Sequence, residues 1–319
     1  MSIPVLDIAP FLAGTDSARV AQQWDAAMRQ TGFAVVAGHG ISEDLLNGTY
    51  DQAQTFFARP LHEKSRLTFA DKGRGQGYLP LRSETVGIGR DAKAKPDLCE
   101  SLTFANLRFD AAGPDNELDA RLYRANLWPD DMPGFRESVR DYMRAGRQLA
   151  LTLMRLSAAA LALPQDHFAP CFDRMELNLR CVLYPDQVAA PNENEMRYGP
   201  HTDFSGFTIL RQDEAPGGLQ VKSGDNWVDV RPIPGTLVVN AGDLIQRWTN
   251  DRWISNVHRV VNPPRDMRSG TRRLSIVLFT GPNSDAEISC LPGCGTAKYP
   301  PIIAGLHSEQ RMRQTYGTP

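Results

Sequence analysis

No stretch of this chain is apolar for long enough to cross a membrane. The longest such run, Leu149 to Leu163, is broken by Arg155 and falls short of the roughly 20 residues a helical span needs. Neither sign of charge dominates. Thirty-five Lys and Arg stand against 37 Asp and Glu, a formal net charge of −2, which removes any global argument for nucleic acid or an anionic membrane as partner. The basic cluster from Arg265 to Arg273 is interleaved with Asp266, Ser269 and Gly270 and reads as a solvated loop. Cysteine is scarce and odd in number. Cys99, Cys171 and Cys181 are isolated, and Cys290 and Cys294 have no second pair with which to build a zinc site. Free thiols in a reducing compartment is the favoured reading, and a Cys290–Cys294 loop disulfide the alternative. The first residues, Met-Ser-Ile-Pro-Val-Leu-Asp, lack the basic and apolar regions of a secretory signal, so a cytoplasmic, soluble protein is expected. Two near-motifs also fail. His62-Glu63 would need a histidine at 66 to make a zinc-protease helix, and Arg66 stands there. Gly73-Arg74-Gly75-Gln76-Gly77 lacks the Lys-Ser/Thr of a phosphate loop.

What is present changes character partway along. Ile3–Ile8 reads as a short strand, and Ser17 as the cap of a helix reaching about Gln30 with Val20, Trp24 and Met28 on one face. Phe33–Val36 reads as a buried strand closed by Gly38-His39-Gly40, where His39 is read as a turn residue, with a ligand role as the alternative. Ser42 opens a second helix. From Pro133 a long helical pattern runs to about Leu163, its stripe of Val139, Tyr142, Met143, Leu149, Leu153, Leu156 and Ala160 serving as core. After about residue 175 the period drops to two. Strands are predicted over 177–184, 199–204, 208–212, 219–222, 227–231, 236–240, 244–247, 255–261 and 273–280, separated by turns such as Pro216-Gly217-Gly218. Many short, closely spaced strands predict a jelly-roll core behind a mixed α/β front end. His307–Tyr316 reads as a short polar helix.

The chemistry is concentrated in Tyr198-Gly-Pro-His-Thr-Asp-Phe-Ser205. His201 and Asp203, two apart on a strand, point to one face. A second histidine, His258, completes a two-histidine, one-carboxylate set of the facial kind that leaves metal positions open for an organic acid and dioxygen. Taken singly, His-x-Asp is also a polar strand end, and His258 a satisfied core histidine. Arg273 and Ser275 share a face of an apolar strand, and a guanidinium with a hydroxyl is a receptor for a carboxylate. That carboxylate is either a small-molecule acid or an Asp or Glu of the fold.

His201-x-Asp203, His258 and Arg273-x-Ser275, in this order, resemble the Fe(II)/2-oxoglutarate-dependent oxygenase superfamily, and more closely its isopenicillin N synthase-like branch. The resemblance extends over nearly the whole chain, through Gly38-His39-Gly40-Ile41, Pro96–Glu100, Leu127-Trp128-Pro129, Gly242–Asn250 and Tyr299-Pro300-Pro301-Ile302. It implies that His201, Asp203 and His258 hold Fe(II), and that Arg273 and Ser275 grip the far carboxylate of 2-oxoglutarate. Tyr184 matches a tyrosine that reaches the same acid, although Val182 replaces the asparagine often found two residues earlier. Asp243 is expected to be structural.

The implied reaction consumes dioxygen, decarboxylates 2-oxoglutarate to succinate and oxidises a small-molecule substrate, with hydroxylation foremost and desaturation or cyclisation as variants. Phe204, Arg180, Phe279 and Arg82 are candidates for the substrate pocket. The implied organisation is an N-terminal α/β region over 1–120, a supporting helix over 121–174, the jelly-roll core over 175–285 and a tail with a short helix over 286–319. Two alternatives stand beside this reading: an oxidase of the same branch that uses no 2-oxoglutarate, with Arg273 and Ser275 binding the substrate's own acid, and a non-catalytic jelly-roll binding protein.

Overall fold

The computed structural model describes residues 2–70, 75–91, 93–110 and 112–316, so part of the glycine-rich loop at 73–77 lies outside the described residues. In chain order, β1 (Val5–Asp7), α1 (Ala9–Leu12), α2 (Ser17–Gln30), β2 (Phe33–Ala37), α3 (Glu43–Phe57) and α4 (Leu61–Lys64) lead to β3 (Gly77–Leu79), β4 (Glu100–Phe104), α5 (Glu117–Leu122), α6 (Pro133–Ala160) and α7 (Ala169–Phe172). The later strands are β5 (Glu176–Tyr184), β6 (Tyr198–His201), β7 (Phe207–Arg211), β8 (Gly218–Ser223), β9 (Asn226–Asp229) and β10 (Leu237–Ala241). They are followed by α8 (Asp243–Trp248), β11 (His258–Val261), β12 (Arg273–Gly281), β13 (Glu287–Ile288), β14 (Ile302–Ile303) and α9 (Ala304–Tyr316).

β2 shows how the layers form. Successive side chains of a strand face opposite ways. Ala34 and Val36 enter the core beneath the helices, while Phe33 and Val35 pack with Leu219, Val221, Val230 and Val238. The second group lies between two sheets. The larger has the order β1-β2-β10-β7-β12-β5-β4-β3 and the smaller β6-β11-β8-β9; apart from the parallel β1–β2 pair, every pairing within them is antiparallel. This is the double-stranded β-helix, or jelly roll, with four front-end strands added to its larger sheet.

Helices cover the outer face. The stripe of α6 is buried at Val139, Tyr142, Met143, Leu149, Leu153 and Leu156, each fully buried aliphatic or aromatic residue contributing about 1.5–3 kcal/mol. Gly146 stands in that buried stripe for a steric reason: a Cβ there would lie 2.2 Å from Leu278 Cδ2 on β12. The indole N–H of Trp24 donates to Ser157 Oγ at 3.1 Å and ties α2 to α6. Among the described residues no helix is long and apolar enough to cross a membrane.

Several expectations need correction. Residues 244–247 form part of helix α8, not a strand: Leu244, Ile245 and Trp248 are buried at helical spacing. The expected strand 199–204 ends at His201, and 255–261 is a strand only from His258. Asp16 occupies the cap of α2 without a side-chain bond to the helix backbone, and Ser17 is its first residue. Ser42 does cap α3, accepting from Leu45 N–H. The cysteines, Cys290 and Cys294 included, are free thiols.

Candidate metal centre and substrate cavity

β6 and β11 pair so that His201 and His258 are direct cross-strand partners. Their ring centroids are 4.2 Å apart. Asp203 lies just beyond the end of β6, where its own C=O accepts from Asp243 N–H at 2.8 Å. His201 and Asp203 are thus brought together by a strand end and the following turn, anchored on α8, rather than by the alternation of one strand. Each Nε2 stands 3.7 Å from Asp203 Oδ1, and the three ligand atoms lie within 4.8 Å of one another.

Hydrogen bonds fix which atoms face inward. Nδ1 of His201 donates to Gly199 C=O at 2.9 Å and Nδ1 of His258 to Asn256 C=O at 3.1 Å. A carbonyl only accepts, so both Nδ1 carry a proton and both Nε2 are the ring atoms turned toward Asp203. Asp203 Oδ2 accepts from Thr208 Oγ1 at 2.5 Å and Asn240 Nδ2 at 2.7 Å, leaving Oδ1 turned to the imidazoles. Burial, and next the neighbouring His258, push His201 down to about 3, so its ring is neutral. Burial alone would raise Asp203, but His258, His201 and the bonds from Asn240 and Thr208 hold it below its ordinary value. Two imidazoles and one carboxylate, oriented and desolvated, fit a divalent ion with open positions.

Facing this cluster is one side of β5. Glu176, Asn178, Arg180, Val182 and Tyr184 line the cavity, while Leu177, Leu179, Cys181 and Leu183 pack into the core behind. Arg273 stands opposite Tyr184 in register, followed by Ser275, Val277 and Phe279 along β12. The result is a trough with two arms that share His201, Asp203, Arg180, Tyr198 and Phe279.

The first arm, about 590 Å³, runs from the histidines to Tyr184, Arg273 and Ser275. Arg273 is 2% exposed. It donates to the C=O groups of Asp213 (2.6 Å) and Ala215 (3.2 Å) and to Gln212 Oε1 (3.1 Å), all neutral acceptors. Its Nε has no partner, and among the described residues no carboxylate lies within ion-pair distance. Burial lowers its pKa. A buried guanidinium without a counter-anion is costly, so the end of this arm suits an anion. The expectation of an Asp or Glu partner within the fold gives way.

The second arm, about 840 Å³, is walled by Tyr123, Tyr198, Phe204, Phe279 and Met312. Phe204 and Phe279 line it. Arg180 lines it too, but is bound to Glu84 and to Ser101 Oγ and carries its own counter-charge. Arg82 does not line it. Its half-exposed side chain pairs with the buried carboxylate of Glu195, which takes the guanidinium instead. Sequence reasoning missed Glu176, Asn178 and the residues of α9, Ser308, Met312 and Thr315. Glu176 and Asn178 were detectable, since Glu-Leu-Asn-Leu-Arg alternates polar and apolar. The role of α9 was not, because a polar terminal helix gives no sign of where it docks. Arg311 fastens it, ion-paired with Asp243 at 3.3 Å, bonded to Thr202 Oγ1 at 3.2 Å and placed 4.8 Å from the Phe204 ring centre. Asp243 also accepts from Ser255 Oγ at 2.7 Å. His39 makes a turn bond, its Nδ1 accepting from Ile41 N–H.

The profile of the 2OG-Fe(II) oxygenase superfamily matches residues 170–282, and that of the non-haem dioxygenase in morphine synthesis N-terminal region matches 3–131. A 2-oxoglutarate-Fe(II) type oxidoreductase, hxnY, from Emericella nidulans is 36% identical over 98% of this chain and 90% of its own. A homoarginine-6-hydroxylase of Oryza sativa subsp. japonica is 30% identical over 98% and 96%. Among solved structures, a full-length Neurospora crassa protein crystallised in complex with alpha-KG and thymine superposes with a TM-score of 0.84 at 30% identity, covering 97% of this chain and 96% of that one. These relatives set aside the non-catalytic reading and the oxidase without 2-oxoglutarate. The chain belongs to the Fe(II)/2-oxoglutarate-dependent oxygenase superfamily, and is an oxidoreductase whose cofactor is Fe(II) and whose cosubstrates are 2-oxoglutarate and dioxygen.

Proposed function

We propose that His201, Asp203 and His258 hold the iron, that Arg273, Ser275 and Tyr184 receive 2-oxoglutarate, and that the enzyme hydroxylates a small molecule enclosed in the second arm. The observation carrying this reading is the convergence of three ligand atoms within 4.8 Å on a trough that ends at an unpaired, buried arginine. Bound iron supplies dioxygen activation and the oxidation of a C–H bond. The chain supplies placement. Arg273 draws the distal carboxylate of the acid and Ser275 offers it a hydroxyl, so its keto end is directed toward the triad. Tyr184 closes the side of this arm, in place of the asparagine that Val182 replaces. Tyr198 and Phe279 wall both arms and exclude water. Phe204 holds the substrate side, while Arg180, neutralised by Glu84, stiffens the shared floor.

The reading extends to the whole chain. Residues 175–285 act as the catalytic core, 1–120 and 121–174 support it, and 286–319 contribute the covering helix. A near-neutral surface argues for a free small molecule rather than nucleic acid or membrane, and five unpaired cysteines argue for a cytoplasmic setting.

Anaerobic equilibrium dialysis with Fe(II) and radiolabelled 2-oxoglutarate is the test. His201→Ala is expected to lose iron, and Arg273→Leu to retain iron but lose the acid at least tenfold. An Arg273→Leu protein that binds 2-oxoglutarate normally would show that the grip lies elsewhere.

A further inference from the structure

The lined face of β5 has unlike ends. At one, Tyr184 sits opposite Arg273; at the other, Glu176 sits opposite Gly281. Glu176 is 4% exposed, it lines the second arm, and its Oε1 has no hydrogen-bond partner among the described residues. Its remaining bond is with Tyr123. Arg108, whose field reaches it, is already engaged by Asp115 and Asp119. Three hydroxyls lining the same cavity, Ser205 Oγ, Ser308 Oγ and Thr103 Oγ1, are also buried without partners among the described residues. Gly281 permits this grouping. A Cβ at that position would lie 2.1 Å from Ser205 Oγ and 3.2 Å from Glu176 Oε2, so any side chain would fill the space between acid and hydroxyl.

An unsatisfied buried carboxyl is unfavourable until something completes it. Of the hydroxyls on the aromatic walls of the arm, that of Tyr123 is bonded to Glu176 and that of Tyr198 is directed to Glu84 Oε2 at 3.5 Å. We propose that Glu176 is a specificity-determining residue of the substrate arm, accepting an N–H of the substrate, so that the substrate is a nitrogen compound with an amide-type or protonated N–H donor and not a compound presenting a carboxylate at that end. The trough then has a cationic end for the cosubstrate acid and an acidic end for the substrate nitrogen, with the metal ligands between. This rests on reading the second arm as the substrate side of the iron and 2-oxoglutarate site.

The two nitrogen chemistries separate by pH. Burial raises Glu176 to about 8, so it is protonated at neutral pH in the absence of a cation. A lactam both receives and gives a hydrogen bond with the protonated acid, and its affinity falls above that value. A cation needs the carboxylate, and its affinity rises toward it.

The experiment uses the full chain loaded with Mn(II) and 2-oxoglutarate, titrated by calorimetry with 2-pyridone, N-methyl-2-pyridone, benzamidine and benzoate. 2-Oxoglutarate binding is measured first, in the wild type, Glu176→Leu and the isosteric Glu176→Gln. The expected result is equal 2-oxoglutarate affinity in all three. 2-Pyridone or benzamidine is expected to bind the wild type at least tenfold more tightly than N-methyl-2-pyridone or benzoate. Glu176→Leu is expected to erase that preference, and Glu176→Gln to keep the lactam and lose the cation. Benzoate binding as tightly as the N–H probes, a preference that survives Glu176→Leu, or no binding by either N–H probe overturns the proposal while leaving the oxygenase reading intact. Absence of 2-oxoglutarate binding in the wild type overturns both.

Discussion

The two bonds that orient Asp203 allow a quantitative test of the metal centre. Thr208 Oγ1 and Asn240 Nδ2 both donate to Oδ2, at 2.5 and 2.7 Å, and so direct Oδ1 toward the imidazoles. A hydrogen bond to a charged group contributes about 1.5–3 kcal/mol. At 1.4 kcal/mol per factor of ten, Thr208→Val or Asn240→Leu is expected to weaken Fe(II) binding roughly 10- to 100-fold, the range typical for partners of metal ligands. Both bonds meet on one oxygen, so removing both strands a buried carboxylate oxygen and the losses should exceed additivity. The sign of the pH effect also follows. These bonds help hold the Asp203 pKa below its ordinary value, so stability from the ionised form is present above that ordinary value and is lost as pH falls through the folded one. Without the bonds the carboxyl protonates at higher pH, and the iron deficit should grow as pH falls. Anaerobic competition against a calibrated chelator measures the affinity, and circular dichroism checks the fold. A folded Thr208→Val or Asn240→Leu protein that binds iron like the wild type would refute this account of how Asp203 is positioned.

Three further outcomes are expected. Gly281→Ala places a methyl group 2.1 Å from Ser205 Oγ, so urea unfolding should show a loss of about 1–3 kcal/mol, while 2-oxoglutarate affinity, set at the far end of β12, should not change. Arg311→Ala removes an ion pair, a hydrogen bond and a ring contact from α9, together about 2 kcal/mol; amide exchange of α9 should accelerate roughly 30-fold with iron affinity retained, and unchanged protection would mean that Arg311 does not fasten the helix. Glu176 has a folded pKa raised to about 8, so the folded state holds a proton that the unfolded state has released. Stability should therefore decline as pH rises from the ordinary glutamate value toward 8, by at most about 1.4 kcal/mol per pH unit, and Glu176→Gln should flatten that decline in pH-resolved urea titrations.

Which parts of this site were readable from residues alone depends on the range of the forces that define them. Two-residue alternation is a local property, so β5, β7, β8, β10 and β12 were predictable to within a residue or two. The ligand set was readable because few residue types bind iron and His201-x-Asp203 is compact. Leu244–Ile245–Gln246–Arg247 was misread because four residues are too few to show a period. Its helical state is set by Asp243 N–H reaching Asp203 C=O and by burial of Leu244, Ile245 and Trp248. Arg82 was misassigned for a related reason. Its partner, Glu195, lies 113 residues away, and no local feature of Leu81-Arg82-Ser83 indicates which acid a guanidinium will find. Glu176 was overlooked because the chain around it looks like the plain start of a strand. Its significance comes from Gly281, opposite it on β12, and from hydroxyls brought in by α9 and the turn after Asp203.

The pairing of β5 with β12 gives the site its direction. The two strands are in register for nine residues, from Arg273–Tyr184 to Gly281–Glu176, and at about 3.3 Å per residue the paired ends are roughly 26 Å apart. On the lined face a shift of one residue would turn Arg273, Ser275 and the even-numbered positions of β5 into the core and bring Leu274 and Leu183 to the cavity. The core leucines that disfavour such a slip therefore also hold Arg273 and Glu176 at opposite ends of the lined face. Stability and polarity of the site are set by the same pairing. A substitution that loosens register, such as a polar residue in place of Leu179 or Leu278, should impair 2-oxoglutarate binding and fold stability together, whereas changes at Arg273 or Glu176 should separate them.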